Sequence, residues 1–283
     1  MTAPTKTFKA ACVQLTSANE VEPNIATSSV LIRDAAGQGA DLVLMPEMVS
    51  LLERNPKKMF ERVVPQGDDK ALKAYQALAD ELSIWILIGS LPILIEDGRV
   101  ANRSFLLDDT GAIRAIYDKI HLFDVDLPNG ERYRESKNYV PGGAAKLAET
   151  PWGKLGMSVC YDLRFPHLYR AYGQAGARYL SIPSAFTKTT GETHWHVLHR
   201  ARAIENGCFV FAPAQCGKHP DGRTTFGHSL IVDPWGAVLA DGGTEPGIII
   251  AEIDPAKVDD AHGRVPSLQH DRDFAPPASA RNL

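Results

Sequence analysis

The sequence predicts an α/β protein whose mixed sheets are covered by helices, folded as one domain over residues 1–283. Two observations predict it. Short, continuous apolar runs, of the kind made by strands buried on both faces, alternate with stretches whose apolar residues recur at helical spacing. Among them lie pairs of apolar runs joined by Asp/Pro/Gly turns, the mark of antiparallel hairpins. Such alternation calls for helices laid on sheets. Pro141-Gly142-Gly143 is too short to act as a linker between domains.

In chain order, Phe8–Leu15 is an apolar strand. Residues 24–36 form a helix with Ile25, Ser29, Ile32 and Ala36 on one stripe, ended by Gly37 and Gly39. Leu42–Met45 is a buried strand stopped by Pro46. Residues 68–82 repeat the helix, with Leu72, Tyr75, Leu78, Ala79 and Leu82 as its stripe, and Ile84–Ile88 is a strand ended by Gly89. A hairpin joins Ser104–Leu107 to Ile113–Tyr117 through Asp108-Asp109-Thr110-Gly111, and a second joins Ser229–Val232 to Ala237–Ala240 through Asp233-Pro234-Trp235-Gly236. Leu155–Val159, Tyr179–Ile182, Phe209–Ala212 and Gly247–Ile253 are further strands, with helices over 166–175 and 194–206. From about residue 254 the composition turns polar and Pro-rich, with Pro276-Pro277, and reads as a tail packing on the body or on a partner subunit.

Composition narrows the class. A chain of 283 residues buries enough surface to fold without disulfides. Lys+Arg 30 against Asp+Glu 34 leaves a net charge of −4. There is thus no basic excess to displace counterions from phosphate, and nucleic acid is not an expected partner. No apolar run reaches the ~18 residues of a membrane span, and the N-terminus has no signal-peptide h-region. Cys12, Cys160, Cys208 and Cys216 form no C-x-x-C pair and no disulfide framework. The reading is a soluble, reduced, cytoplasmic protein.

Reactive groups in α/β folds gather beyond the C-terminal ends of strands. Three strand ends carry them: Glu47 after Pro46, Lys119 after Asp118, and Cys160 before Tyr161-Asp162. A carboxylate, an ammonium and a thiol at equivalent positions suit nucleophilic catalysis. Blander readings stand beside each. Glu47 also suits a cap, Lys119 a surface lysine, and Cys160 a small buried hydrophobe. Cys12, Cys208 and Cys216 read as structural. The His194-x-His196-x-x-His199 spacing raises zinc, but on a helix 194 and 196 point about 200° apart and only 196 and 199 share a face. With no matching Asp/Cys/His cluster in view, no metal is expected.

The segments Leu44-Met45-Pro46-Glu47, Tyr117-Asp118-Lys119-Ile120-His121-Leu122-Phe123-Asp124 and Gly156-Met157-Ser158-Val159-Cys160-Tyr161-Asp162-Leu163-Arg164-Phe165-Pro166 together resemble the three signature segments of the nitrilase superfamily of carbon–nitrogen hydrolases. Likeness continues through Pro183–Phe186, Arg200–Asn206 and Gly227–Gly236, so it covers about residues 7–272. The resemblance implies a four-layer α-β-β-α sandwich, a homodimer or higher homo-oligomer, and a Glu47–Lys119–Cys160 triad, with Glu135 matching a second family glutamate. It implies no metal or organic cofactor. Cys160-Tyr161-Asp162 resembles the amidase branches rather than the Cys-Trp-Glu of nitrilases. Ala214–His219 and Asp162–Pro166 look most like the deaminated-glutathione branch, with its omega-amidase neighbour.

The expected activity is therefore hydrolysis of a small, linear, carboxylate-bearing amide to acid and ammonia through a thioester, with water as the second substrate. Nitrile or N-carbamoyl chemistry on the same triad, and an inactive binding or scaffold protein, are the alternatives. Tyr161 would lend its backbone N–H to the oxyanion, and Arg164 would pair with the distant carboxylate or, alternatively, with an acidic neighbour. Phe186, Thr187 and Thr190 are further pocket residues.

Overall fold

The computed structural model describes residues 6–276. In chain order its elements are β1 (Phe8–Gln14), α1 (Val21–Gly37), β2 (Leu42–Leu44), α2 (Pro56–Phe60), α3 (Lys70–Leu82), β3 (Trp85–Leu94), β4 (Val100–Leu107), β5 (Ile113–Asp118), β6 (Asp124–Asp126) and β7 (Arg132–Arg134). There follow β8 (Tyr139–Val140), β9 (Lys146–Thr150), β10 (Gly153–Met157), α4 (Pro166–Gln174), β11 (Tyr179–Ser181), α5 (Lys188–Asn206) and β12 (Phe209–Ala212). The chain closes with β13 (Cys216–Lys218), β14 (Thr224–Phe226), β15 (Leu230–Val232), β16 (Val238–Asp241), β17 (Gly247–Ile253) and α6 (Ala256–Arg264).

One sheet runs β17-β1-β2-β3-β4-β5, with β8 added to β4, and the other runs β16-β15-β12-β11-β10-β9. In each, three central strands are parallel (β1-β2-β3 and β10-β11-β12) and the strands on either side of them antiparallel, while β8 joins β4 in parallel. The period-2 alternation of the strands explains the layering. Ala10, Cys12, Leu42, Leu44, Leu87 and Leu106 share a core with the second sheet. Their neighbours Ala11, Val13, Val43, Ile86, Ile88 and Phe105 share one with Ile32, Leu72 and Tyr75 of α1 and α3. On the far side, Tyr169 of α4 and Trp195 of α5 pack against β11 and β12. The order is α-β-β-α, the sandwich that the resemblance implies.

Three local expectations change. The buried stripe of α1 is Asn24, Ser28, Ile32 and Ala35, with Ile25 and Ala36 only half-buried. Polar Asn24 and Ser28 go inside because each is satisfied there: Asn24 Nδ2 donates to Ser50 O at 2.8 Å, and Ser28 Oγ meets Tyr75 OH at 2.8 Å. Gly89 does not end β3. The strand continues to Leu94, with an irregular register against β4 between Ile88 and Leu91. A Cβ at Gly89 would lie 2.0 Å from Met45 O and 2.4 Å from Pro46 O. The glycine therefore admits the backbone that carries Glu47. Within the tail from residue 254, the polar stretch folds into α6, which buries Val258 and Ala261 and is tied to β11's approach by Arg178–Asp259 at 2.8 Å. Pro277 and the residues after it lie outside the described residues.

Candidate active site

Glu47, Lys119 and Cys160 each follow a strand of one of the two facing sheets (β2, β5 and β10), and stacking the sheets brings the three exits together. Lys119 Nζ lies 2.9 Å from Glu47 Oε1 and 2.9 Å from Glu135 Oε2. Asn102 Nδ2, from the middle of β4, donates to Glu47 Oε1 at 2.8 Å and to Glu135 Oε1 at 3.1 Å. Ala185 N–H donates to Glu47 Oε2 at 2.8 Å, and Phe123 N–H to Glu135 Oε2 at 2.6 Å. Each carboxylate is thus held at both oxygens.

Cys160 opens a 3₁₀ turn, Cys160–Arg164, and has φ +49°, a left-handed conformation that a side chain adopts at a cost. Its N–H is fixed to Pro183 O at 2.9 Å. Asp162, fully buried, holds this turn to the loop after β5. It accepts from Val159 N at 2.8 Å, Tyr117 OH at 2.7 Å and His121 N at 3.0 Å, and it meets His121 Nδ1 at 2.6 Å. The His121 ring in turn stacks on Phe165 at 3.5 Å. Asp162 therefore couples the Lys119 arm to the Cys160 arm, a role not read from the sequence although it stands inside a motif.

Electrostatics assign the protons. Burial opposes charge on Glu47, but the Lys119 cation and the hydrogen bonds from Lys119, Asn102 and Ala185 outweigh it and hold the carboxyl below the usual carboxylate range. Burial likewise opposes charge on Lys119, and the carboxylates of Glu135 and Glu47 outweigh that, keeping the ammonium far above the usual lysine range. Cys160 goes the other way: burial, then the Glu47 charge, push the thiol well above its ordinary 9.0. The resting state is a carboxylate, an ammonium and a neutral thiol set against that carboxylate.

These groups floor a cavity of ≈ 280 Å³ whose wall includes Tyr161, Phe186, Thr187 and Thr190. Arg164 does not line it. At the end of the 3₁₀ turn its guanidinium lies over two rings of the cavity wall, Phe186 at 5.4 Å and Tyr161 at 6.0 Å, with Nη2 3.2 Å from His194 Nδ1. The cations that line the cavity besides Lys119 are Arg54, Arg132, Arg134, Lys137 and Arg223, none of them expected from the sequence. The Arg132-Tyr133-Arg134 triplet is the one local signal that pointed there.

The histidine expectation also shifts. His199 is buried, its Nδ1 2.7 Å from Trp195 O of its own helix, and burial lowers its pKa to about 3. A cluster does exist: His196 Nε2 and His228 Nδ1 lie 2.9 and 2.8 Å from the two oxygens of Asp241. Residues 196, 228 and 241 are too far apart in sequence to have been linked by spacing.

Comparison with known proteins places this geometry. The family model described as carbon-nitrogen hydrolase matches residues 9–262. A deaminated glutathione amidase of Synechocystis is 41% identical over 270 residues, covering 94% of this chain and 98% of that one. The crystal structure of the Caenorhabditis elegans NitFhit protein superposes with a TM-score of 0.89 at 36% identity, over 95% of this chain and 66% of that longer chain. An amidase from Nesterenkonia, solved with the acetamide moiety of fluoroacetamide covalently added at its active site cysteine, has a TM-score of 0.79 at 26% identity, covering 96% and 95% of the two chains. With its strand-end acid, lysine and cysteine gathered in one cavity and its fold shared along nearly its whole length, the chain belongs to the carbon–nitrogen hydrolase family.

Proposed function

We propose that this chain is a thiol-dependent amidase acting on a small, linear, carboxylate-bearing amide, with deaminated glutathione or alpha-ketoglutaramate as the type. The observation that carries the reading is the Glu47–Lys119–Cys160 floor beneath an arginine-rimmed mouth. Glu47, already ionised, takes the Cys160 proton as Sγ attacks the amide carbon. This general-base route suits a thiol whose own pKa is raised. The oxyanion meets Lys119 Nζ and the Tyr161 N–H, donors fixed before the reaction begins. The C–N bond breaks, the amine leaves with the proton held by Glu47, and a thioester remains. Water then gives a proton to Glu47 and attacks the thioester. The C–S bond breaks, the carboxylic acid departs, and the thiol recovers its proton. Glu135 positions Lys119.

The leaving group depends on the amide. A primary amide such as alpha-ketoglutaramate releases ammonia. Deaminated glutathione has no primary amide: its scissile nitrogen belongs to cysteinylglycine, so an amine and not ammonia is released. Both yield 2-oxoglutarate, which is therefore the product to follow. Offered these two, a simple nitrile and an N-carbamoyl amino acid, the protein should turn over one of the first two fastest. Preference for the nitrile overturns the reading. The proposal extends to a reducing, cytoplasmic setting that keeps Cys160 a thiol, and to a homodimer in which a second copy covers the exposed Val197, Ile204 and Trp235 beside α5.

A further inference from the structure

Away from the reactive cavity, three side chains from distant parts of the chain converge on one point. His196 comes from α5, His228 from the loop between β14 and β15, and Asp241 from the end of β16. None of them lines the cavity above Glu47, Lys119 and Cys160. One ligand atom from each lies within 4.8 Å of the other two. The donors are held in place. His228 has a left-handed backbone, φ +54°, and is pinned there: its N–H donates to Gly243 O at 2.6 Å, and its carbonyl accepts from Trp195 Nε1 at 2.7 Å. Its ring stacks on Phe226 with centroids 4.6 Å apart, and the His196 ring meets both of those rings edge-on. Gly243 N–H fixes Asp241 Oδ1 at 2.9 Å. No lysine or arginine among the described residues pairs with Asp241. Its charge is left to the two imidazoles, or to a cation that all three residues can hold.

Two imidazoles and one carboxylate suit a borderline divalent ion. Calcium and magnesium favour shells of six or more oxygens, and the cluster supplies one carboxylate. We propose that His196, His228 and Asp241 bind one divalent ion of the zinc type, with water in the fourth position. Bonds of roughly 2.0–2.2 Å would draw the three ligand atoms to about 3.3 Å from one another, the edge of such a tetrahedron. The three side chains are between 25% and 37% exposed, which leaves them free to close by that amount. Each imidazole then carries its proton on the far ring nitrogen, Nδ1 of His196 and Nε2 of His228. The ion is a clasp between α5 and β16. It also backs the cavity wall at one remove, because the Trp195 held by the His228 carbonyl packs on Phe186 at 5.2 Å. The site is independent of the amidase reading.

The test titrates zinc chloride and cobalt chloride into the full chain carrying Cys160→Ala, which removes the reactive thiol as a competing ligand. Calorimetry should give one ion per chain, and Co2+ should show the strong visible bands of a four-coordinate site. On the same background, His196→Gln, His228→Asn and Asp241→Asn should each weaken binding at least about 10- to 100-fold, and should abolish the rise in melting temperature that zinc gives the parent. Asparagine tolerates the left-handed backbone at position 228. His196→Gln and Asp241→Asn, on residues that reach solvent, keep the test open where a change at 228 disturbs folding. His194→Gln, on the opposite side of α5 from His196, should bind zinc as the parent does. A parent that binds no zinc, binding that survives His196→Gln and Asp241→Asn unchanged, or binding lost with His194→Gln overturns the site.

Discussion

At the floor of the cavity the Lys119 side chain, 2% exposed, is hydrogen-bonded to two carboxylates that are themselves held by Asn102, Ala185 and Phe123. At its mouth Arg54 stands in solvent over the Tyr133 ring, with no carboxylate in reach among the described residues. The same charge type thus serves opposite ends. A buried ammonium between fixed carboxylates cannot move and cannot lose a partner cheaply, which suits a group that must meet a developing oxyanion. A solvated guanidinium costs little to hold and keeps its fork free for a ligand. Substitutions should therefore separate into floor effects on the rate of chemistry and on stability, and rim effects on substrate choice.

Cys160→Ala should show the largest loss, with turnover falling to background while the melting temperature changes little, because only a sulfur atom is removed. Activity surviving in this variant would break the division. Next, Lys119→Met should lower both kcat and stability. It leaves Glu47 and Glu135 facing each other without a cation, and breaking a buried ion network costs about 3–5 kcal/mol. Denaturant unfolding reads the second part. Asp162→Asn should come third, losing about 1.5–3 kcal/mol as charged hydrogen bonds to Val159, Tyr117 and His121 weaken. Its kcat should fall with KM little changed, since it separates Lys119 from Cys160 without touching the mouth.

Stability against pH sharpens the same contrast. Glu47 has a folded pKa below its ordinary 4.5, so its contribution is complete above that value and is lost as pH falls through the folded pKa. Cys160 and the buried thiols of Cys12, Cys208 and Cys216 have pKa values raised above 9.0. Above that pH the unfolded chain loses protons that the folded one keeps, and stability falls. Buried His199, its pKa lowered from 6.5 to about 3, adds a loss that sets in earlier: below pH 6.5 the unfolded chain takes up a proton that the folded one refuses, so thermal melting should show a plateau between about pH 6.5 and 9 and a decline on either side. At the small end, Arg33→Gln removes the Arg33–Glu81 pair, whose side chains are 47% and 55% exposed, and should leave the melt unchanged.

Strand-end groups were legible because a buried strand reads as an apolar run and its exit is where the run stops. Glu47, Lys119 and Cys160 all sit at such stops. Glu135 stands in a loop, and only the likeness to a known family singled it out. Asn102 was missed although a polar residue inside the run of β4 is a signal in itself: a buried amide needs partners. The rim arginines come from α2's approach, β7 and the β13–β14 ribbon, joined only by folding. Arg164 was read as a partner for the substrate's distant carboxylate; its guanidinium lies over the Phe186 and Tyr161 rings of the cavity wall, a placement that spacing along the sequence does not give. The short β9, paired with β10, and α6, polar but for Val258 and Ala261, lacked a long enough pattern to announce themselves.

The division rests on Cys160 forming a thioester above the Glu47–Lys119 floor. Rapid acid quenching of wild-type protein mixed with deaminated glutathione, followed by peptide mass spectrometry, tests it directly. The account predicts a transient 2-oxoglutaryl adduct on the peptide containing Cys160, absent from Cys160→Ala. Turnover with no adduct at Cys160, or with an adduct on another residue, would contradict it.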